Sequence, residues 1–135
     1  WIFGCDICNE VCPWNEPPDS IAYRHDVLPY LPELLSLSSA DFSLRFTVSA
    51  IKRAKRQGLL RNAAVALGNS GNPAAVPTLV QSMESESDPL IRSHAAWALG
   101  QIGTAGARRA LDRARRRDPD RSVRDEAKAA LQTMR

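Results

Sequence analysis

From residue 60 onward the apolar positions of this 135-residue chain recur as a block. Ala63-Ala64-Val65-Ala66-Leu67-Gly68 returns as Ala95-Ala96-Trp97-Ala98-Leu99-Gly100, and more weakly as Ala127-Lys128-Ala129-Ala130-Leu131. Leu67, Leu99 and Leu131 are spaced 32 and 32 residues apart. A second apolar helix keeps the same offset, Leu79 against Leu111, and glycine loops recur at Gly71 and Gly103. Asp88-Pro89-Leu90-Ile91-Arg92 corresponds to Asp120-Arg121-Ser122-Val123-Arg124. Asp88 and Asp120 are predicted N-caps, because a carboxylate can accept from the unpaired N–H groups of a first turn. Pro89 then sits at the first helical position, where its missing N–H costs nothing. Pro77 conflicts with the interior of a helix, so the second helix of the first unit starts near Ala75 or kinks there. Helix pairs at a fixed period predict an α-solenoid.

Upstream the pattern weakens. Leu28, Leu31, Leu34 and Leu35 mark apolar positions, interrupted by Pro29 and Pro32. Ser38 or Ser39 can cap a helix beginning near Phe42, with Asp41 in its first turn. That helix is expected to run to Gln57-Gly58, where the glycine suits a stop. Three zones follow: residues 1–19 ending in Pro17-Pro18, a helical connector over 20–59, and the repeats over 60–135.

Ala and Leu dominate the second half, which favours helix. No run of 18 apolar residues is present, so no membrane span is expected. The opening Trp1-Ile2-Phe3-Gly4-Cys5 has no basic flank and does not read as a signal peptide. The net charge is +3 but unevenly spread. Residues 1–50 carry seven acids against two bases, Arg24 and Arg45. Residues 51–61 carry five bases and no acid: Lys52, Arg53, Lys55, Arg56 and Arg61. Such a local block points to a polyanion contact at one place.

All three cysteines lie in Cys5-Asp6-Ile7-Cys8-Asn9-Glu10-Val11-Cys12-Pro13, a C-x₂-C-x₃-C-P run. An odd count at metal-ligand spacing argues against a secreted disulfide framework and for a reducing compartment. Soft thiolates at this spacing suit iron–sulfur chemistry. A cubane needs four thiolates and the chain has three, so it is expected to be the tail of a larger redox protein. In two-cluster ferredoxins the cysteine before proline ligates the other cluster. By that logic Cys5 and Cys8 bind one cluster and Cys12 the second. The alternative is a structural zinc site of Cys5, Cys8, Cys12 and His25.

The wording A-A-x-A-L-G after D-P-x-[IV]-R resembles HEAT-like repeats. Gly4-Cys5-Asp6-Ile7-Cys8-Asn9-Glu10-Val11-Cys12-Pro13-Trp14-Asn15 resembles the second cluster motif of the epoxyqueuosine reductase family. Ile51 to Ala64, followed by Ala66-Leu67-Gly68-Asn69, resembles the same family. The resemblance covers essentially the whole chain, in order. It implies an all-α fold: HEAT-like α-solenoid repeats preceded by the C-terminal end of a ferredoxin-like domain with two [4Fe–4S] clusters.

The family is a set of cytoplasmic oxidoreductases that reduce the epoxide of epoxyqueuosine at the tRNA wobble position, using cobalamin and two [4Fe–4S] clusters. The resemblance implies that Cys5 and Cys8 hold the second cluster and Cys12 completes the first. It also implies that the cobalamin-binding domain, the catalytic acid and five further cluster cysteines lie upstream of Trp1, so this piece alone is expected to be inactive. The implied partner is the tRNA anticodon stem-loop, bound by a monomer with no membrane contact; the electron donor is not implied. Two alternatives are the tail of another corrinoid iron–sulfur reductase, such as a relative of the reductive dehalogenases, and a HEAT scaffold for protein partners with a Cys₃His zinc staple.

On one helix, Lys52, Arg53, Lys55 and Arg56 would span about 160°, with Ala50, Ile51 and Ala54 opposite. The expected result is one exposed stripe able to contact phosphates by charge, without reading bases, with Arg61 following. Arg113-Ala114-Arg115-Arg116-Arg117 is flanked by Asp112, Asp118 and Asp120 and reads as a solvated helix end. Trp14 is placed to shield a cluster or simply to pack, Trp97 to fill the core between repeat helices, and His94 to be exposed. No catalytic triad, paired catalytic carboxylates or phosphate-cradling glycine loop is recognisable.

Overall fold

The N-caps expected from the repeat wording are in place. In the computed structural model, which describes residues 2–4, 7–14 and 31–134, Asp88 accepts from the Leu90 N–H at 2.9 Å. Asp120 accepts from the Ser122 N–H at 2.8 Å. The described helices are α1 (Ile7–Glu10), α2 (Leu31–Leu35), α3 (Ser39–Arg45), α4 (Lys55–Ser70), α5 (Val76–Ser85), α6 (Pro89–Ile102), α7 (Ala105–Arg117) and α8 (Arg121–Thr133). Short 3₁₀ turns occupy Ala50–Ala54 and Pro73–Ala75. The described residues contain no strand. Pro77 lies in the first turn of α5, so the helix starts at Val76 and needs no kink.

Helices α4, α6 and α8 pack side by side in one layer, and α5 and α7 form the second. α2 packs on both α4 and α5, standing where the second helix of a preceding repeat would stand. The core between the layers holds Leu59, Leu60, Leu79, Leu99 and Leu111, all fully buried. Each such burial is worth about 1.5–3 kcal/mol.

The glycine ending each A-A-x-A-L-G block has a packing cause. A Cβ on Gly68 would lie 2.8 Å from the Ala98 Cα, and one on Gly100 would lie 2.7 Å from the Ala130 Cβ. Neighbouring first helices therefore touch backbone to backbone at these points. The third position of the series is Gln132, which is exposed. The helix ends also use glycine: Gly71 and Gly103 take φ of 62° and 72° as left-handed C-caps.

The connector departs from expectation. The helix expected from Phe42 to Gly58 is three pieces: α3, the 3₁₀ turn and the start of α4. Gly58 lies within α4 and ends nothing; a Cβ there would meet the Ala54 Cβ at an ordinary 3.7 Å. The chain breaks instead at Lys55, whose φ of 57° and ψ of 165° leave the right-handed region.

Candidate functional site

Around the cysteines, the first link to the repeats is polar. Asn62 on α4 donates through its amide nitrogen to the Ile2 carbonyl at 2.7 Å. Arg61 holds the Asn62 carbonyl oxygen through Nε and Nη2, at 3.0 and 2.8 Å. Arg61 thus orients the amide that ties the N-terminal segment to α4. Cys8 lies on α1 and Cys12 just past it, one helical turn apart; both are free thiols, Cys8 exposed and Cys12 half-buried. Unpaired, solvent-reachable sulfurs are a donor set that fits an iron–sulfur cluster or zinc. Cys5 and His25 lie outside the described residues, as do Pro17, Pro18, Leu28 and Pro29. Among the described residues, no three His, Cys, Asp or Glu side chains are gathered for a metal. Phe3, Ile7, Val11 and Trp14 flank the sulfurs and are exposed, Trp14 at 92%, so Trp14 is not packed into the core formed by the described residues.

The basic block does not form one helical stripe. Lys52 and Arg53 stand on the 3₁₀ turn and Lys55 at its junction with α4, all three exposed. Ile51 packs against the core. Arg56 points elsewhere. Its Nε donates to the Leu37 carbonyl at 2.6 Å, and Nη1 and Nη2 grip the Glu86 carboxylate at 3.2 and 2.5 Å. This forked geometry fixes the guanidinium on protein groups, so the expectation of a phosphate-facing Arg56 is corrected. Burial tends to raise the Glu86 pKa, but the Arg56 guanidinium and the Asp88 and Ser87 donors outweigh it and hold the carboxyl below its ordinary value.

The same device recurs one repeat later, and sequence reading missed it. Arg92 donates through Nε and Nη2 to Asp118, both at 3.0 Å, with 9% and 7% of the two side chains exposed. Its Nη1 reaches the Glu86 and Ser87 carbonyls at 2.9 Å. Arg124 repeats that contact on the Asp118 and Pro119 carbonyls. Glu86 and Asp118 are themselves 32 residues apart, the one sequence signal that would have exposed the clamp. On α7, Arg113 pairs with Glu84, and Arg115 and Arg116 with Asp112, on a solvated surface.

A model of HEAT repeats matches residues 44–132. The chain belongs to the HEAT-repeat family. Over 98% of its length this HEAT-repeat chain is 33% identical to an epoxyqueuosine reductase of Bacillus anthracis, of which it spans 37%. Its fold matches 99% of its residues to 38% of a solved structure of epoxyqueuosine reductase from Bacillus subtilis, with TM-score 0.84 and 28% identity. A further match, also at TM-score 0.84 and 28% identity, is an epoxyqueuosine reductase with an epoxyqueuosine-modified tRNA-Tyr stem loop; it covers 98% of this chain and 37% of that one. The resemblance drawn from the cysteine and basic motifs therefore holds along the whole HEAT-repeat chain, which spans slightly more than a third of the relatives' length. No helix among the described residues is long and apolar enough to cross a membrane.

Proposed function

We propose that this chain is the C-terminal, RNA-holding part of a cytoplasmic epoxyqueuosine reductase, acting as a monomer on a tRNA anticodon stem-loop. The observation that carries the reading is the match of 98% of the chain to a reductase with a tRNA stem loop. The start of α4 supports it independently. It has no side-chain cap and no acid in its first turn, yet Lys52, Arg53 and Lys55 gather there. Cations at a helix N-terminus oppose the macrodipole, so their charge serves an external anion better than it serves the fold. A phosphate backbone is such an anion.

Residues 1–19 would close a ferredoxin-like domain, 20–59 would carry the cationic turn, and 60–135 would form the repeat platform. Cys5 and Cys8 would ligate one [4Fe–4S] cluster and Cys12 another, with cobalamin held by the rest of the parent protein. Those groups supply the electron transfer and the reduction of the epoxide. This chain's own residues bind and orient: Lys52, Arg53 and Lys55 on phosphates, and Arg61 through Asn62 on the cysteine segment.

The decisive test is filter binding of the anticodon stem-loop to the wild type and to a Lys52→Glu/Arg53→Glu/Lys55→Glu variant, across a salt series. Loss of three phosphate contacts should flatten the log–log salt slope by about 2–3 units. Equal affinity and equal slope would overturn the reading. The isolated chain is expected to show no epoxyqueuosine turnover. Anaerobic reconstitution of the complete parent with iron and sulfide should give the broad visible absorbance of clusters; colourless zinc retention would instead support a scaffold.

A further inference from the structure

The outer face of the α4/α6/α8 layer holds a groove of about 250 Å³, lined by Val65, Ser93, His94, Trp97 and Glu126. His94, expected to be exposed, is half-buried here, and Trp97 is half-buried rather than wholly in the core. The neighbouring helices explain this. Asn62, His94 and Glu126 occupy the same repeat position on α4, α6 and α8, as do Val65, Trp97 and Ala129. Side chains on adjacent helices therefore converge over the seams. A Cβ on Gly68 would come within 3.0 Å of Cζ3 of Trp97, so the indole edge rests against α4 where only glycine leaves room. The ring is held as a wall of the groove.

The polar groups at the rim have defined roles. His94 Nδ1 lies 2.8 Å from the Leu90 carbonyl. A carbonyl only accepts, so the proton sits on Nδ1, and in the neutral ring Nε2 is left as an acceptor. The Ser93 hydroxyl donates to the same carbonyl at 3.0 Å. Glu126 has no hydrogen-bond or ion-pair partner among the described residues, so its two oxygens are also available acceptors. A carboxylate here repels phosphate, so this groove is not another backbone contact. It offers an aromatic surface, an aliphatic wall from Val65, and acceptors for N–H donors.

We infer that this groove seats one unpaired guanine base of the bound RNA, next to Trp97, with Glu126 accepting from the base N1–H and N2–H. Guanine fits because those two donors lie side by side on one edge and match a carboxylate's two oxygens. Single-stranded bases are commonly read in this way, by stacking plus hydrogen bonds to the Watson–Crick edge. The inference rests on the RNA reading above, and the placement agrees with it. Val65 lies ten residues along α4 from Lys55, about 15 Å at the helical rise. Asn62, in the same row as His94 and Glu126, anchors the cysteine-bearing segment. The cationic start of α4, the Asn62 anchor and the Val65 wall of the seat thus follow one another along one helix.

The test separates the two readings by using a ligand with no phosphate. Guanosine is titrated into the full 135-residue chain, and the Trp97 indole N–H and His94 ring signals are followed by NMR. Saturable shifts at both residues are expected, with uridine much weaker. Glu126→Gln, which removes no hydrogen bond or ion pair among the described residues, should weaken guanosine about tenfold, as expected for losing a paired contact to a base edge. Trp97→Phe should retain part of the affinity. Absent shifts, equal shifts with uridine, or no effect of Glu126→Gln would overturn the seat, as would preferential binding of N-acetylarginine amide, the mark of a protein partner. Stem-loop binding is measured in parallel. A chain that binds RNA through Lys52, Arg53 and Lys55 but ignores guanosine loses the seat and keeps the RNA reading; one that takes guanosine but not RNA does the reverse.

Discussion

The starts of α6 and α4 are built on opposite plans. α6 opens on Asp88, which caps the Leu90 N–H and also receives the Gln57 amide at 2.6 Å. The turn before it is gripped by Arg56 from one side and Arg92 from the other. α4 opens with no side-chain cap, no acid in its first turn, and Lys55 at a φ of 57°. The first plan gives the Glu86, Ser87 and Asp88 side chains internal partners. The second leaves three cations exposed on a backbone that is not relaxed. One turn serves the fold, and the other is free to serve a ligand.

If the clamped turns are where stability resides, the largest loss should come from Arg92. Arg92→Ala leaves Asp118 as an unpaired, buried carboxylate and frees two carbonyls. Removing one partner of a buried pair typically costs about 3–5 kcal/mol. A urea titration should show the midpoint drop accordingly, whereas Arg116→Ala, on an exposed pair, should move it by less than about 1 kcal/mol. Equal effects would mean that the clamp is not a stability device.

Next comes the seam between first helices. Gly100→Ala puts a methyl group 2.7 Å from the Ala130 Cβ, and such overpacking costs about 1–3 kcal/mol. Gln132→Ala at the equivalent exposed position should be neutral within about 0.5 kcal/mol. Thermal unfolding of the pair would show whether the glycine reflects contact or only repeat history.

The clamp also predicts a pH limb. The Glu86 carboxyl sits below its ordinary value of 4.5 in the folded chain. A depressed carboxylate stabilises the fold at pH above its unfolded value and loses that contribution as pH falls through the lower, folded one. Stability should therefore decline on acidification below 4.5, and Glu86→Gln should flatten that decline while lowering stability at neutral pH. An unchanged acid limb in Glu86→Gln would assign it to other carboxylates. Asp120, held low by the Ser122 hydroxyl and amide, would be the next to test.

What was legible in the sequence divides along the same line. The Asp caps, the glycine loops and the start of α5 near Ala75, set by Pro77, follow from chemistry within four residues, and each appears as read; the 32-residue period is plain recurrence of the wording. Arg56 could not be read this way, because its partner lies 30 residues on and a charge run gives no sign of which member turns inward. The break at Lys55 was hidden because Gly58 offered a more plausible stop. His94 looked exposed because its row is polar; the groove that half-buries it forms only when three helices align. The family resemblance lay in the residue wording of two stretches, Gly4 to Asn15 and Ile51 to Asn69, and not in cysteine spacing, which left iron–sulfur and zinc open; Cys5 lies outside the described residues, and its cluster role is a proposal.

The smallest effect tests the comparison most directly. Lys55 holds a backbone conformation that glycine reaches at no steric cost. Such strain is worth about 1–3 kcal/mol, partly offset by the entropy glycine loses on folding. Lys55→Gly should therefore stabilise the chain by about 1 kcal/mol. The same change removes one of three exposed cations, so the salt slope for stem-loop binding should fall by about one unit. Gain of stability with loss of RNA affinity, in one substitution, is the outcome expected if α4 opens for a ligand rather than for the fold. Were both to fall, Lys55 would be a structural residue and the contrast between the two helix starts would fail.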